Sequence, residues 1–310
     1  MLKKHQFALF SSLLLLGFVI FSLTVPAVSA QQDEDTIRVN SNLIPVAATV
    51  VDARGGALAD LKLEDFELLI DGEKRPISAI TRSETPVRMA VLYDNSGSLN
   101  KNRHFERSAA ATFFRSVLRA KDSATLYAVS TDTELIQPLT GDVELLVRAI
   151  KKMGWPSGGT ALYDGVNHAA EYLRAHPGRR VIVIISDGAD TRSTTPFNDT
   201  LRAVQSANCQ VYVVRTGHSD HANNRDLTGE RRLEALTAQT GGSVYAPSGP
   251  ADLEAAFASI AADLAAQYIL SYYAAEDEGG KTRFHPIELR VPAQPEARIR
   301  VRKGYYSPGT

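Results

Sequence analysis

One cysteine in 310 residues excludes an internal disulfide framework. Cys209 stands where a helical pattern runs into the apolar strand Val211-Tyr212-Val213-Val214. An unpaired thiol there is expected to be buried and inert. Positive charge is also not in excess. Lys and Arg number 34 against 35 Asp and Glu, for a formal charge of −1. A nucleic-acid binder would carry a basic face or stripe, so nucleic acid is not an expected partner. Long apolar runs are missing after residue 30. The one such run, Phe7 to Val25, follows Lys3 and Lys4 and precedes Val28-Ser29-Ala30 and the polar Gln31-Gln32-Asp33-Glu34. That order of basic start, apolar stretch and small residues is the pattern of a secretory signal. The run approaches the ~20 residues of a membrane anchor, but Pro26 and the small residues before Ala30 favour cleavage. Loss of Lys3 and Lys4 takes the formal charge to −3. No cysteine near the cut offers a lipid attachment point. The mature chain is expected to be exported, with no membrane span: periplasmic, cell-surface or secreted.

Several enzyme signatures are absent too. No G-x-G-x-x-G or G-x-x-x-x-G-K-[ST] loop follows a strand, which removes the usual phosphate cradles of nucleotide enzymes. No G-x-S-x-G elbow occurs, which removes the main α/β-hydrolase signal. His218-x-x-His221 lacks a third ligand and reads as a polar loop rather than a zinc site.

What is present is alternation. Met89-Ala90-Val91-Leu92-Tyr93 and Val181-Ile182-Val183-Ile184-Ile185 are continuous apolar runs, the signature of strands covered on both faces. Ala124 to Val129, Val211 to Val214 and Ser243 to Ala246 are shorter versions, and Glu134 to Thr140 reads as an antiparallel edge strand. Between them, Phe105, Ala109, Phe113 and Val117 recur at helical spacing, as do Val143, Leu146, Val147 and Ile150, and Leu253, Phe257, Ile260 and Leu264. Strand–helix alternation implies a doubly wound, mostly parallel Rossmann-like sheet with right-handed crossovers. The flanks are strand-like: Leu43 to Asp52, Phe66 to Ile70 with Asp71-Gly72 as a hairpin turn, and a return over Pro76 to Thr81. Tyr268 to Tyr273, Phe284 to Val291 and Ile299 to Tyr305 follow at the other end. Each flank alone has too few strands for a core. The reading is therefore residues 1–30 as signal, 31–86 and 266–310 as β segments pairing into one small β-sandwich, and 87–265 as the α/β domain inserted between them.

Ligands of such sheets bind at the carboxyl ends of the strands. There, Asp94-Asn95-Ser96-Gly97-Ser98 presents one carboxylate and two hydroxyls, with Gly97 permitting a tight course. Ser186-Asp187-Gly188 supplies a second carboxylate at the same edge. Ser157-Gly158-Gly159-Thr160 delivers another hydroxyl just before the helix of Tyr163, Val166, Ala170 and Leu173. Asp94, Ser96, Ser98, Thr160 and Asp187 are all hard oxygen donors, which select Mg²⁺, Ca²⁺ or Mn²⁺ over zinc or copper. Two acids do not overcompensate a divalent ion, so an incoming carboxylate remains attractive. Asp190 reads as a solvated turn acid, and Trp155, beside the Thr160 loop, as a residue used in local packing.

The three segments, in this order, resemble the metal-ion-dependent adhesion site of von Willebrand factor A domains. The resemblance spans about Pro86 to Ala265. Asp94, Ser96 and Ser98 match the first loop, Thr160 the second and Asp187 the third. It implies Mg²⁺ as the usual ion, with the carboxylates reaching it directly or through water, and adhesion through it. Including Val51-Asp52, Asp71-Gly72, Tyr268 to Tyr273 and Arg302-Lys303-Gly304-Tyr305-Tyr306, the whole chain is similar to the von Willebrand factor A-related family abundant in acidobacteria. The expected function is a non-enzymatic, metal-dependent protein-binding module that captures a partner's Asp or Glu. The alternatives are a structural module with a fold-stabilising metal, or a phosphotransfer enzyme with Asp94 as nucleophile. The second lacks an acid or base among Asn95, Ser96 and Ser98.

Overall fold

The computed structural model describes residues 42–82, 85–97, 103–216, 227–274 and 282–307. Residues 1–30, expected to be a secretory signal, and Ser98, His218 and His221 lie outside them. A six-stranded sheet forms from β5 (Val87–Asp94), β6 (Ser123–Val129), β7 (Thr133–Thr140), β8 (Arg179–Ser186), β9 (Cys209–Arg215) and β10 (Val244–Tyr245). Its order is β10-β9-β8-β5-β6-β7, parallel throughout except for the edge strand β7.

Side-chain parity assigns the two faces. Met89, Val91 and Tyr93 of β5 and Val181, Val183 and Ile185 of β8 pack against Phe113 and Phe114 of α1 (Arg103–Val117), Leu146 and Ile150 of α2 (Val143–Lys152), and Phe257 and Ile260 of α6 (Pro250–Ala266). Ala90, Leu92, Ile182 and Ile184 face α3 (Leu162–Arg174), α4 (Phe197–Ser206) and α5 (Leu227–Thr240) through Val166, Leu173, Val204 and Leu233. Helix α2 starts where it does because Asp142 accepts the amides of Glu144 and Leu145, an N-cap. Cys209 is buried, and burial pushes its thiol up to about 12, which keeps it uncharged.

The flanking strands form two antiparallel four-stranded sheets, each mixing the two ends of the chain. One runs β13-β1-β11-β4, from β1 (Asn42–Val51), β4 (Ala79–Arg82), β11 (Tyr268–Ala274) and β13 (Arg298–Val301). The other runs β14-β12-β2-β3, from β2 (Glu67–Ile70), β3 (Glu73–Arg75), β12 (Phe284–Arg290) and β14 (Gly304–Tyr306). Val46, Ala48, Leu270 and Tyr272 of the first meet Leu68, Ile70, Ile287 and Leu289 of the second in one core.

Two strand assignments need correction. The Asp71-Gly72 turn is present, with both residues at positive φ as a type I′ hairpin requires, but its return strand is Glu73–Arg75. Residues 79–82 cross instead to the other sheet and pair with β11. The run Ile299 to Tyr305 is not one strand. At Arg302 and Lys303 the backbone turns to the end of α5, bridging Thr240 and donating from Lys303 N to Gln239 O at 3.0 Å. That detour sends β13 and β14 into different sheets.

Gln267, fully buried between α6 and β11, ties the parts together. Its Nε2 contacts Thr49 Oγ1 at 3.2 Å, Gln210 Oε1 at 2.9 Å and Tyr212 OH at 3.2 Å, while Arg179 donates to its Oε1. Because β1 is paired on both sides by carboxyl-terminal strands, residues 31–86 expressed alone are expected to be unfolded. The fragment 87–265 is expected to fold. A dispersed amide spectrum from the isolated 31–86 fragment would contradict this dependence.

Candidate functional site

Asp94 closes β5 on the Ala90–Leu92 track, and Ser186 closes β8 on the Ile182–Ile184 track, so both side chains face α3. Pairing of Tyr93 with Ile185 brings the two strand ends level. Ser186 Oγ donates to Asp94 Oδ2 at 2.6 Å, and Ser96 N donates to Asp94 Oδ1 at 2.9 Å. Asp94 is 1% exposed. Burial raises its pKa above the usual carboxylate range, the hydrogen bonds from Ser186 and Ser96 pull the other way, and the charge of Asp187 adds to the rise. A buried carboxylate that also feels the charge of a second one is a site whose energy a cation would lower.

Three loops close around this point. Asn95 N donates to Val129 O at 2.6 Å and Gly97 N to Gly158 O at 3.2 Å, while Ser157 N returns to Asn95 O at 3.2 Å. The Thr160 carbonyl accepts from Thr191 N at 2.9 Å and Arg192 N at 3.0 Å, and its amide donates to Thr191 Oγ1 at 3.0 Å. Thus the loop carrying Thr160 is stitched to the Asp94 loop on one side and to the loop after Asp187 on the other. Gly158 sits at φ 73°, and a Cβ there would lie 2.0 Å from Thr131 Oγ1, so this close approach needs glycine. Asp187 is half-buried and turns through an Ala189 N to Asp187 Oδ1 bond at 3.0 Å.

Of the five candidate ligands, Asp94, Ser96, Thr160 and Asp187 lie on these joined loops, and Ser98 is outside the described residues. The donors are carboxylates and hydroxyls, and no cluster of three His, Cys, Asp or Glu occurs among the described residues. The donor chemistry fits a hard divalent cation.

Two residues have roles the sequence reading missed. Ser186 holds Asp94, and only the parallel register reveals it. Asp190 is not a solvated turn acid: its Oδ1 accepts from Leu162 N at 2.8 Å, Tyr163 N at 3.4 Å and Ser193 Oγ at 2.6 Å. Helix α3 has no side-chain cap of its own, so Asp190 caps it from the third loop and fixes Thr160 relative to Asp187. Nearby, Asp164 accepts the amides of Thr194 and Thr195, both at 2.9 Å. Trp155, expected to pack, is 93% exposed.

Residues 89–189 match the family model described as the von Willebrand factor type A domain. Over those residues the chain is similar to von Willebrand factor type A domains. A von Willebrand factor type A protein from Catenulispora acidiphila has the same fold, with a TM-score of 0.52 and 11% identity over 87% of this chain and 75% of that one. The PilB minor pilin from Streptococcus sanguinis is similar at a TM-score of 0.47 and 14% identity, over 60% of this chain, which spans 62% of the pilin. An aerotolerance-related membrane protein from Bacteroides fragilis gives 0.46 and 18%, over 57% of this chain and 98% of that one. No curated protein matches the chain. Domains of this type are often protein-interaction modules. Among the described residues, no helix is long and apolar enough to cross a membrane.

The raised pKa of Asp94 has a defined sign. A carboxyl with an elevated folded pKa contributes full stability below its unfolded pKa, and that contribution is lost as pH rises through the folded value. At pH 7 in chelator, Asp94→Asn is therefore expected to be more stable than wild type by about 1 kcal/mol, the scale common when a group kept for function is replaced. Mg²⁺ is expected to raise the melting temperature of wild type and not of the variant. Equal Mg²⁺ shifts in both proteins, read by calorimetry, would remove Asp94 from the metal site.

Proposed function

We propose that the protein is an exported, non-enzymatic binding module that captures an Asp or Glu of a partner protein at a divalent-metal site. Asp94, Ser96, Ser98, Thr160 and Asp187 would hold the ion, with Mg²⁺ the first candidate and Ca²⁺ or Mn²⁺ the others. When bound, the ion supplies an electropositive position open to a carboxylate. The observation that carries the reading is the buried Asp94, braced by Ser186 and repelled by Asp187, within three loops already hydrogen-bonded together.

The chain's own groups set the conditions for capture. Ser186 and the Ser96 amide orient Asp94, so its oxygens need not reorganise on binding. Asp190 caps α3 and thereby positions Thr160. The same loop-to-loop bonds speak against a purely fold-stabilising ion, because the protein closes the site through Gly97–Gly158 and Thr160–Thr191 on its own. Only two candidate ligands are acids, which leaves a divalent ion able to accept a third.

Thr160 is expected to weigh more on the partner than on the ion. A protein retained from the envelope fraction in Mg²⁺ and released by chelator serves as ligand for Mg²⁺ titrations of wild type and Thr160→Ala. A coupling of ~1–3 kcal/mol between ion and partner is the typical scale, and it must be reciprocal. Thr160→Ala is expected to lower partner affinity more than Mg²⁺ affinity. Equal partner binding in chelator and in Mg²⁺ would leave the ion only a structural role.

A further inference from the structure

Trp155 is the only tryptophan in the chain, and its side chain stands almost wholly in water at 93% exposure. The next most exposed large apolar residue among those described, Tyr273, reaches 58%. A bare indole is unfavourable in water unless something covers it in use, and tryptophan is enriched among residues that dominate protein interfaces. Its backbone, by contrast, is held. Arg107 Nη2 donates to Gly154 O at 2.7 Å and reaches Asn95 Oδ1 at 3.4 Å, and Asn95 Nδ2 donates to Trp155 O at 3.5 Å. Met153, two residues before, is buried in the α/β core. The indole is thus projected outward from an anchored loop.

That loop is the one that goes on to Thr160, and its anchor, Asn95, is the residue after Asp94. The backbone that carries the indole is therefore hydrogen-bonded to the residue next to Asp94. Lys151 and Lys152, in the last turn of α2 just before the Trp155 loop, are exposed, as is Arg192, whose N is bonded to Thr160 O. Positive charge beside an apolar platform suits an acidic segment.

From this juxtaposition we infer that Trp155 is the specificity anchor of the metal site, and that the occupant is an extended acidic segment of a partner protein. Resting on the metal-capture reading, this assigns the segment an Asp or Glu for the ion and, within three residues of it, an apolar or aromatic side chain that covers the indole. The metal supplies recognition of the carboxylate, and Trp155 decides which acidic segments are retained. Because binding uses a held loop, little ordering cost is added at the platform.

A phage-displayed peptide library with a fixed central Asp and randomised neighbours, panned in Mg²⁺ and in chelator, tests this on wild type and Trp155→Ala. Wild type is expected to enrich peptides with an apolar or aromatic residue at one fixed offset from Asp, in Mg²⁺ only. Synthetic copies should shift the single-tryptophan emission to the blue and lose at least tenfold affinity for Trp155→Ala, while Mg²⁺ affinity stays within twofold. If Mg²⁺-dependent peptides enrich without an apolar preference, or with the same preference on Trp155→Ala, the anchor is wrong and the metal reading stands. If nothing enriches in Mg²⁺ beyond chelator, the metal reading fails and the anchor falls with it.

Discussion

A buried carboxylate organises this end of the molecule. Asp94 ends the central strand of a sheet covered on both faces, so its charge is placed where water is scarce. Burial raises its pKa, the Ser186 hydroxyl at 2.6 Å and the Ser96 amide at 2.9 Å favour the charged form, and Asp187 works against them. Such a group is costly as a structural element, since an apolar residue, or a neutral one with its hydrogen bonds made, would serve the fold better. Its presence makes sense if a cation completes it. The other features follow from keeping that carboxylate in place: a glycine at Gly158 where a Cβ would strike Thr131, and Asp190 capping a helix from across the site.

Elsewhere the structure spends its polar groups on joining the two sheets of the sandwich to the α/β domain. Gln267 at the exit of α6 reaches Thr49 in β1, Gln210 and Tyr212 in β9, and Arg179 in β8. Arg300 of β13 pairs with Asp263 of α6 at 2.6 Å, partly shielded from solvent. These contacts lie at the edge of the central sheet opposite the Asp94 loop, since Arg179 and Cys209 begin their strands. The fold thus separates a braced end from a loop-built end that presents side chains outward.

Much of this was legible in the residues. Continuous apolar runs gave the parallel strands because both faces are covered, and helical spacing gave the helices that cover them. That Asp94 and Asp187 lie on one edge is legible because both follow parallel strands, whereas the Thr160 loop follows α2 and is joined to them through Gly158 and Thr191. Ser186 was overlooked because a serine's value there depends on strand register, which parity fixes only once β5 and β8 are known to be neighbours. Asp190 was misread because its partner amides are 28 residues away in sequence. The break at Arg302 and Lys303 was hidden in an unbroken β-like run, since the end of α5 competes for that backbone. A lone tryptophan reads as a packing residue in sequence, but the exposure of Trp155 depends on how Arg107 and Asn95 hold the loop.

The central claim is that one divalent ion sits among these loops. Its most direct measurement is anomalous scattering from crystals of the mature protein soaked in Mn²⁺. The account predicts a single strong peak within coordination distance of Asp94, Ser96, Thr160 or Asp187, bonded directly or through water, with oxygen donors at about 2.1–2.3 Å. A Mn²⁺ peak found only elsewhere on the protein, or an Asp94 carboxylate with no ion near it at saturating Mn²⁺, would contradict it.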